Sequence, residues 1–242
     1  MSRKYDRWHE GGDVPEDDQY EEPWHVLASM HLGAVRGLKV LEIGCGRGGF
    51  AKYLVDQGAD LIAADFSEKA VEIARRRRAS APNCEVMVAD IQGIPFPPET
   101  FDVVVSLETL EHVPDPDRAL AELIRVTKVG GRVVITTPNY LSLVGLWRIY
   151  LRLIGRRFHE VGQPINHPLM LVGRIRKLKR LGCRIDVVEG RGHYLGVPKY
   201  GTIELRWLER PHAITKWFAL HALTVATKKQ PTGELPLSKT GG

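Results

Sequence analysis

The 242-residue sequence predicts an α/β fold, in which helices cover both faces of a doubly wound, mostly parallel sheet of seven strands. Three observations predict this fold. Short apolar segments alternate with longer amphipathic ones from residue 38 onwards, a glycine-rich turn follows the first apolar segment, and two strand-like segments follow a basic insertion. Because a chain of this length buries one sizeable core, we expect a single domain whose insertion lies between strands five and six.

The seven strands are predicted from apolar runs, most of which end in a turn or at an acidic residue. The fourth run is continuously apolar, which is typical of a strand that is buried on both faces. In chain order, the runs are 38–43, 60–64, 85–89, 101–106, 132–136, 184–188 and 222–227.

Helices are predicted between these strands. The first follows the glycine-rich turn and ends near Gly58, and Ser67 is the expected N-cap of the second, which continues to Arg78. A third helix covers residues 117–128 and stops at the pair Gly130-Gly131. Strand–helix–strand repeats of this kind predict right-handed crossovers and therefore parallel strands.

Composition divides the chain into five segments. Residues 1–25 hold eight acidic residues, so we expect a flexible acidic arm that Trp8, Tyr20 and Trp24 could dock over a site. The other segments are predicted as the core of the fold over 26–138, a basic cap or lid over 139–182, the last strands over 183–228 and a disordered tail over 229–242.

The overall composition is that of a folded globular protein, with 43% hydrophobic and 26% charged residues. No apolar run reaches the length of a membrane-spanning helix, since arginines interrupt segment 141–155. The N-terminus lacks the apolar region of a secretory signal, and three cysteines without metal-ligand spacing suit a reducing compartment. We therefore expect a cytoplasmic protein.

The net charge of +5 hides a division along the chain. Residues 1–140 carry a net charge of −7, whereas residues 141–242 carry +12. The second part is suited to an anionic partner, such as a phosphorylated small molecule, RNA or an anionic membrane surface. Solvated helix surfaces explain the basic residues equally well.

The glycine-rich turn predicts a nucleotide-like cofactor. Gly44-x-Gly46-x-x-Gly49 matches a dinucleotide-binding pattern, and Asp65 follows at the distance expected of a ribose-binding carboxylate. The pattern suits either hydride transfer with a nicotinamide dinucleotide or methyl transfer from S-adenosylmethionine. Glu42 distinguishes them, because its charge would repel a diphosphate by about 4 kcal/mol for a unit pair 4 Å apart at a dielectric of 20. The ammonium and sulfonium of S-adenosylmethionine would instead be attracted.

Five motifs carry a resemblance to a known family. They are Val40–Gly48, Ala64–Ser67, Val88–Ile91, Phe101–Val104 and Thr127–Arg132. In order and spacing the chain resembles the class I S-adenosylmethionine-dependent methyltransferases, in the branch that contains ubiquinone-biosynthesis O-methyltransferases and other small-molecule methyltransferases. The resemblance covers residues 38–138 and implies a Rossmann-like core. Lys-Val-Gly-Gly stands where the family usually has Lys-Pro-Gly-Gly, a departure in a turn.

The resemblance implies a site for S-adenosyl-L-methionine, and for its product S-adenosyl-L-homocysteine, at the ends of the first four strands. It places Glu42 near the ammonium group, Asp65 on the two ribose hydroxyls, Asp90 on the adenine amino group and Leu107 at the sulfur. The full set of implied cofactor-binding residues is Glu42, Gly44, Cys45, Gly46, Asp65, Phe66, Asp90, Ile91 and Leu107.

The segment after the fourth strand supplies the candidate catalytic residues, His112 and Glu111. Active sites in open parallel sheets lie beyond this edge of the sheet. An imidazole that titrates near neutrality suits a general base, which is needed if the methyl acceptor is a hydroxyl group that must lose its proton.

The same segment supports a metal-binding hypothesis. On one helical turn, Glu108, Glu111 and His112 would share a face and could bind Mg²⁺, Mn²⁺ or Zn²⁺. The motif is similar to the Glu-x-x-Glu-His metal motif of some ubiquinone-pathway O-methyltransferases and small-RNA 2′-O-methyltransferases. We do not favour a divalent metal, because the short motif also occurs in relatives that we do not expect to bind one. A fourth ligand could come from His167, which we prefer, or from His159 or His193.

The insertion contains three arginines spaced four residues apart, Arg148, Arg152 and Arg156, which we call the basic stripe. Next to apolar neighbours, this spacing is typical of a basic amphipathic helix that lies on a membrane surface, binds an anion or forms a lid. A solvated helix face explains it equally well. If functional, the basic stripe would clamp a phosphate, a carboxylate or a lipid headgroup.

Together these features predict a methyltransferase, monomeric or homodimeric, that methylates a small molecule. Oxygen is the favoured acceptor atom, and an anionic acceptor would suit the basic part of the chain. One alternative is an RNA methyltransferase, although a nucleic-acid partner is not expected because no RNA-binding module is recognisable. Others are a lipid or quinone methyltransferase in peripheral contact with a membrane, and a cofactor-binding protein without catalysis.

Overall fold

The computed structural model describes residues 6, 22–78, 81–155, 165–197, 201–209 and 214–230. It confirms the predicted seven-stranded sheet. The strands are β1 Lys39–Ile43, β2 Asp60–Asp65, β3 Cys84–Val88, β4 Phe101–Leu107, β5 Thr127–Pro138, β6 Cys183–Arg191 and β9 His221–Lys228. Their spatial order is β3-β2-β1-β4-β5-β9-β6. Strands β1 to β5 are parallel, and β9 runs antiparallel between β5 and β6.

Two further strands, β7 Tyr194–Val197 and β8 Gly201–Glu204, pair as a separate antiparallel hairpin that the sequence did not predict. Helices cover both faces of the main sheet. In chain order they are α1 Pro23–His31, α2 Gly49–Asp56, α3 Glu68–Arg78, α4 Pro116–Val126, α5 Leu143–Leu153 and α6 Leu171–Arg180.

Alternation along the strands builds one apolar layer on each face of the sheet. Val40 of β1 packs into the layer that contains α1 and α2, with Leu27 and Leu54 fully or almost fully buried. Its neighbour Leu41 faces the opposite layer, where Leu123 of α4 and Leu178 of α6 are fully buried. The sheet is therefore the central layer of three, and in the described part of the chain its two faces are covered.

The predicted boundary between the third helix and strand five is wrong. Helix α4 ends at Val126, and β5 begins at Thr127 and includes the glycine pair. The Thr127 hydroxyl donates to the carbonyl of Leu123 at 2.6 Å, which satisfies the last helical turn. Gly130 then adopts a φ of +79° within the strand, so the glycines shape an irregular entry to β5 and do not terminate a helix.

The predicted acidic arm lies mostly outside the described residues, which include neither Trp8 nor Tyr20. Helix α1 begins at Pro23, before the predicted boundary at residue 25, and contains Trp24. Asp6 is described, and its Oδ1 accepts a hydrogen bond from the Ser67 hydroxyl at 2.7 Å. The tail beyond residue 230 is also outside the described part of the chain. Within the described residues, no helix has both the length and the apolarity needed to cross a bilayer.

Candidate cofactor and acceptor site

The glycine-rich turn leads from β1 into α2 at the point where the strand order reverses. Gly44, Gly46 and Gly48 all have positive φ, at +82°, +54° and +83°. The backbone N–H groups of Gly44 and Cys45 both donate to the Ala64 carbonyl, at 2.8 and 3.0 Å. Strand β2 therefore fixes the turn, and in open sheets such a reversal is where ligands bind.

Asp65, at the end of β2, connects the two turns beside the cofactor position. Its Oδ2 accepts from the Gly46 N–H at 2.9 Å and its Oδ1 from the Ser67 N–H at 2.8 Å. Burial raises the pKa of Asp65, while these backbone N–H groups oppose that shift. Each carboxylate oxygen has a second lone pair that a ribose hydroxyl could use. Phe66 follows Asp65 in the chain, and its side chain is exposed, so that the ring could contact adenine.

Gly44 must lack a side chain because of a close neighbour. A Cβ built on Gly44 would lie 2.6 Å from Cγ2 and 2.9 Å from Cβ of Thr109, and would overlap the Thr109 hydroxyl as well. Thr109 belongs to the segment after β4, which begins beyond the buried Leu107. The glycine turn and this segment therefore lie in contact, and Leu107 stands at the same strand edge.

Two carboxylates, Glu42 and Asp65, lie close to the Cys45 thiol at the floor of the turn. Glu42 and Cys45 are both buried. Burial raises the pKa of the Cys45 thiol well above its usual value, and the nearby Asp65 and Glu42 add to that shift. The thiol is therefore not a thiolate nucleophile, and the buried carboxylates suit a ligand that carries positive charge.

Asp90 and Ile91 follow β3 at the same edge of the sheet. Asp90 Oδ1 accepts from the Gln92 N–H at 2.8 Å, which holds the turn, and Ile91 is 4% exposed. Because β1, β2, β3 and β4 are parallel neighbours, their carboxyl ends bring the predicted cofactor-binding residues to one edge. The roles of the individual residues toward the cofactor stay predictions.

The candidate catalytic residues lie in a three-residue 3-10 turn, Leu110–His112. Nδ1 of His112 lies 2.8 Å from the Ile165 carbonyl, and its Nε2 lies 3.4 Å from Glu111 Oε1. The Glu111 carbonyl accepts from the His167 N–H at 2.8 Å. Burial lowers the pKa of His112. This pair therefore holds the predicted cap segment against the edge of β4.

The proposed helical turn that would bring Glu108, Glu111 and His112 onto one face is absent. Glu108 lies before the 3-10 turn with a φ of +48°, and its Oε2 lies 3.3 Å from His221 Nδ1. A left-handed residue at the start redirects the chain, so the i, i+3 and i+4 relation does not apply.

The metal-binding hypothesis gains no support from the described residues, which form no group of three or more His, Cys, Asp or Glu side chains able to hold a metal ion. His193 Nε2 instead contacts the Thr215 carbonyl at 2.9 Å. His159 lies outside the described residues.

Sequence reasoning missed a cluster around His221, the first residue of β9. Its ring lies 4.9 Å from that of Trp24, and Trp24 in turn contacts His25 edge-on at 5.8 Å. Burial lowers the pKa of His25 to about 4, against the opposing charge of Glu108. Glu108 and His221 are 113 residues apart in sequence. No local pattern signals the pair, because it depends on β9 inserting between β5 and β6.

Arg174 of α6 is a second missed residue, with 8% of its surface exposed. Its guanidinium donates to the Ala222 carbonyl at 2.7 Å and to the Thr224 hydroxyl at 3.1 Å. Burial lowers the pKa of Arg174 to about 10, and the charges of Glu108 and Glu111 oppose that shift. A buried cation thus partly balances the two carboxylates after β4.

The basic insertion presents an apolar surface. Of the basic stripe, Arg148 lies 5.8 Å from the Tyr140 ring, whereas the Arg152 side chain and Arg156 fall outside the described residues. Beside it, α5 and β7 form a groove of about 390 Å³, lined by Leu143, Leu146, Trp147, Tyr150 and Leu195.

Known proteins resemble this chain in sequence and in fold. A family model described as a methyltransferase domain matches residues 41–135. A demethylmenaquinone methyltransferase from Clavibacter sepedonicus is 36% identical over 134 residues, which cover 54% of this chain and only 55% of that protein's length. A solved S-adenosylmethionine-dependent methyltransferase from Mesorhizobium loti shares the fold, with a TM-score of 0.61 and 21% identity over 85% of this chain and 97% of its own.

A longer match comes from a ubiquinone biosynthesis O-methyltransferase from Paracidovorax citrulli. It is 30% identical over 185 residues, which cover 70% of this chain and 75% of that protein. The match extends well beyond the domain recognised by the family model. With the glycine turn, the acidic strand ends and the sheet order all in place, this chain belongs to the S-adenosylmethionine-dependent methyltransferase family.

Proposed function

We propose that this protein transfers the methyl group of S-adenosylmethionine to an oxygen atom of a small-molecule acceptor. The observation that carries the proposal is the acidic turn. The Asp65 carboxylate links the Gly46 and Ser67 N–H groups, and its charge and that of the buried Glu42 both act on Cys45. This arrangement favours a cationic adenosyl ligand over a diphosphate. The name of the Paracidovorax citrulli relative supports oxygen as the acceptor atom.

The chemistry asks little of the protein beyond positioning. The acceptor attacks the methyl carbon in line with the departing sulfur, and the sulfonium already supplies a good leaving group. Holding the two reactants in line and excluding water is worth effective molarities of ~10⁵ M or more. Glu42 would hold the ammonium, Asp65 the ribose and Asp90 the adenine, while Leu107 would line the sulfur.

His112 and Glu111 are the sequence-derived candidates for the proton acceptor. The contact between Nδ1 of His112 and the Ile165 carbonyl would leave Nε2 as the basic atom, facing Glu111. The same contacts hold the segment around His167, so the pair would also close the cap over an acceptor.

Cofactor choice is the first expected result. Isothermal titration calorimetry should give binding of S-adenosylhomocysteine and no heat with NAD⁺ at the same concentration, because the acidic turn repels a diphosphate. Tight binding of NAD⁺ without binding of S-adenosylhomocysteine would contradict the proposal.

The reaction class is tested with radiolabelled S-adenosylmethionine. Incubation with a panel of hydroxylated aromatic compounds should transfer label to at least one small molecule, through a methyl ether that mass spectrometry identifies. Label in total RNA and in no small molecule would establish the RNA alternative. Cofactor binding without transfer to any acceptor would establish a binding protein without catalysis.

A membrane-associated form of the same function is the second proposal. It is supported by the exposed apolar residues of α5, where Leu146 is 48%, Tyr150 50% and Leu153 81% exposed. This surface belongs to the part of the chain that carries a net charge of +12. Apolar residues flanked by positive charge suit contact with an anionic lipid surface.

Vesicle cosedimentation tests that contact. We expect the Leu146→Asp/Tyr150→Asp variant to lower the fraction bound to phosphatidylglycerol vesicles by at least about tenfold, since each buried side chain is worth roughly 1.5–3 kcal/mol. Met30→Asp is the matched control, because Met30 is 64% exposed on α1, outside this surface. Failure of the unchanged protein to bind these vesicles, or equal loss in both variants, would refute the membrane contact.

A further inference from the structure

A second carboxylate–imidazole pair lies at the acceptor side of the site. Oε2 of Glu108 is 3.3 Å from Nδ1 of His221, and the two side chains are only 13% and 12% exposed. His221 opens β9 opposite Pro138, the last residue of β5, so the pair stands at the strand edge where the cofactor residues lie. Neither residue belongs to the pair predicted for proton transfer.

The contact decides which nitrogen of His221 is basic. An ionised carboxylate only accepts hydrogen bonds, so Nδ1 must carry the hydrogen that points to Glu108, and Nε2 then carries the lone pair. The described contact with Glu108 thus uses Nδ1 and leaves Nε2 as the atom that could face a ligand. The Trp24 ring, 4.9 Å away, limits how the imidazole can turn. This is the orientation in which an imidazole can accept a proton from a ligand.

Glu108 is held in a backbone conformation that non-glycine residues rarely adopt, with a φ of +48°. Its N–H donates to both the carbonyl and the hydroxyl of Thr136, each at 3.1 Å. Strain of this kind persists where the surroundings fix it, and it is concentrated at functional sites. The Glu108 carboxylate is therefore placed by β5 and aimed at β9.

Glu108 also has hydrogen-bonding capacity left. Its Oε1 is buried and has no hydrogen-bond partner among the described residues. A buried acceptor without a donor is costly, so a ligand hydroxyl or ammonium would find a favourable partner there.

The neighbours of Glu108 connect it to the cofactor position. Leu107 precedes it, at the place where the resemblance puts the sulfur. Thr109 follows it and contacts the glycine turn at Gly44. A group attached to this segment is thus adjacent to the edge where the methyl group would be presented.

We propose that His221, oriented by Glu108, is the base that removes the proton of the acceptor hydroxyl. This proposal rests on the proposed function and replaces His112 in that step. As the oxygen forms its bond to the methyl carbon, the carbon–sulfur bond breaks and its electron pair returns to the sulfur. The acceptor proton passes to Nε2 of His221, Glu108 stabilises the resulting imidazolium, and the proton then leaves to solvent.

Comparing acceptors of different acidity shows whether His221 acts as a base or has only a structural role. An acceptor that is already ionised needs no base, so we compare catechol with the more acidic 4-nitrocatechol. For His221→Asn and Glu108→Gln we expect kcat with catechol to fall by about 10²–10⁴-fold, and kcat with 4-nitrocatechol by less than about tenfold. Equal losses with both acceptors, or no loss with either, would overturn the proposal.

The substitution His221→Asn distinguishes loss of the base from loss of the contact with Glu108. Its amide can still donate to Glu108 from near the Nδ1 position but offers no base at Nε2, so a merely structural role would survive in His221→Asn. Affinity for S-adenosylhomocysteine should stay within about threefold. His31→Gln is the matched control, because His31 ends α1 outside the cluster. An acceptor-dependent loss in His112→Gln, with none in His221→Asn, would return the role to His112.

A spectroscopic measurement does not depend on turnover. Protein saturated with S-adenosylhomocysteine should bind 4-nitrocatechol in its ionised, yellow form at a pH where the free compound is protonated, and His221→Asn should abolish that shift. If the unchanged protein gives no such shift, the proposed pair is wrong even if methyl transfer to another acceptor upholds the proposed function. If the shift occurs while no acceptor is methylated, the proposed function fails and the pair stands as a proton-accepting ligand site.

Discussion

Replacing Asp65 with alanine is expected to weaken binding of S-adenosylhomocysteine by at least about 100-fold. The carboxylate accepts from the Gly46 and Ser67 N–H groups and has lone pairs left for the ribose. Hydrogen bonds to a charged group contribute about 1.5–3 kcal/mol each, so loss of the two proposed ribose contacts alone would cost about 3 kcal/mol or more. The glycine turn also loses the acceptor that fixes Gly46.

Titration calorimetry with S-adenosylhomocysteine measures this effect. Asp60→Ala is the matched control, because Asp60 is exposed at the opposite end of the same strand and should change the affinity less than about twofold. Circular dichroism should show that both variants are folded. A folded Asp65→Ala protein whose affinity stays within threefold would show that the ribose is held elsewhere.

Gly44→Ala is expected to lower the free energy of unfolding by about 2–5 kcal/mol and to abolish cofactor binding. A side chain at a φ of +82° costs about 1–2 kcal/mol. Overlap with Thr109 adds about 1–3 kcal/mol, because this neighbour is a branched side chain in a packed segment. Relief of the overlap would push the segment after β4 away from the turn and so open the methionine end of the site.

The matched control for this variant is Gly37→Ala. Gly37 has a φ of +70°, but a Cβ there would meet nothing within 4 Å. Urea unfolding should therefore show only the conformational cost in Gly37→Ala, about 1–2 kcal/mol. Gly44→Ala/Thr109→Gly should recover part of the extra loss. If Gly37→Ala and Gly44→Ala lower the free energy of unfolding equally, the overlap with Thr109 does not contribute to the loss of stability.

The Asp65→Ala and Gly44→Ala variants test different halves of the proposed site, which meet where Thr109 contacts Gly44. Asp65 belongs to the turn that would hold the ribose, while Thr109 continues the segment that contains Glu108. Displacement of Thr109 would therefore disturb both halves of the site, whereas loss of Asp65 would disturb one. Measurements of cofactor affinity and of the 4-nitrocatechol spectrum in the same variants distinguish the two cases.

The cofactor side of the fold could be predicted because its information is local. Apolar runs mark β1 to β4, and the residues expected to bind ligand follow each strand directly, as Glu42, Asp65 and Asp90 do. Because β1, β2 and β3 are parallel neighbours, their carboxyl ends lie at the same edge of the sheet. The error at Thr127–Gly131 is also local, since a glycine pair after a helix suits either a stop or an irregular strand.

Long-range contacts decided the region where we propose that the acceptor binds. Local signals were enough to predict the α/β fold, the glycine turn and the acidic strand ends, because hydrophobic periodicity and turn residues act over a few positions. Only the tertiary structure paired Glu108 with His221, since β9 had to insert antiparallel beside β5 to place the imidazole there. It also gave Glu108 a left-handed backbone, which takes this residue out of a regular helical relation to Glu111 and His112. Surrounding contacts impose such a backbone conformation, and the side-chain pattern does not reveal it.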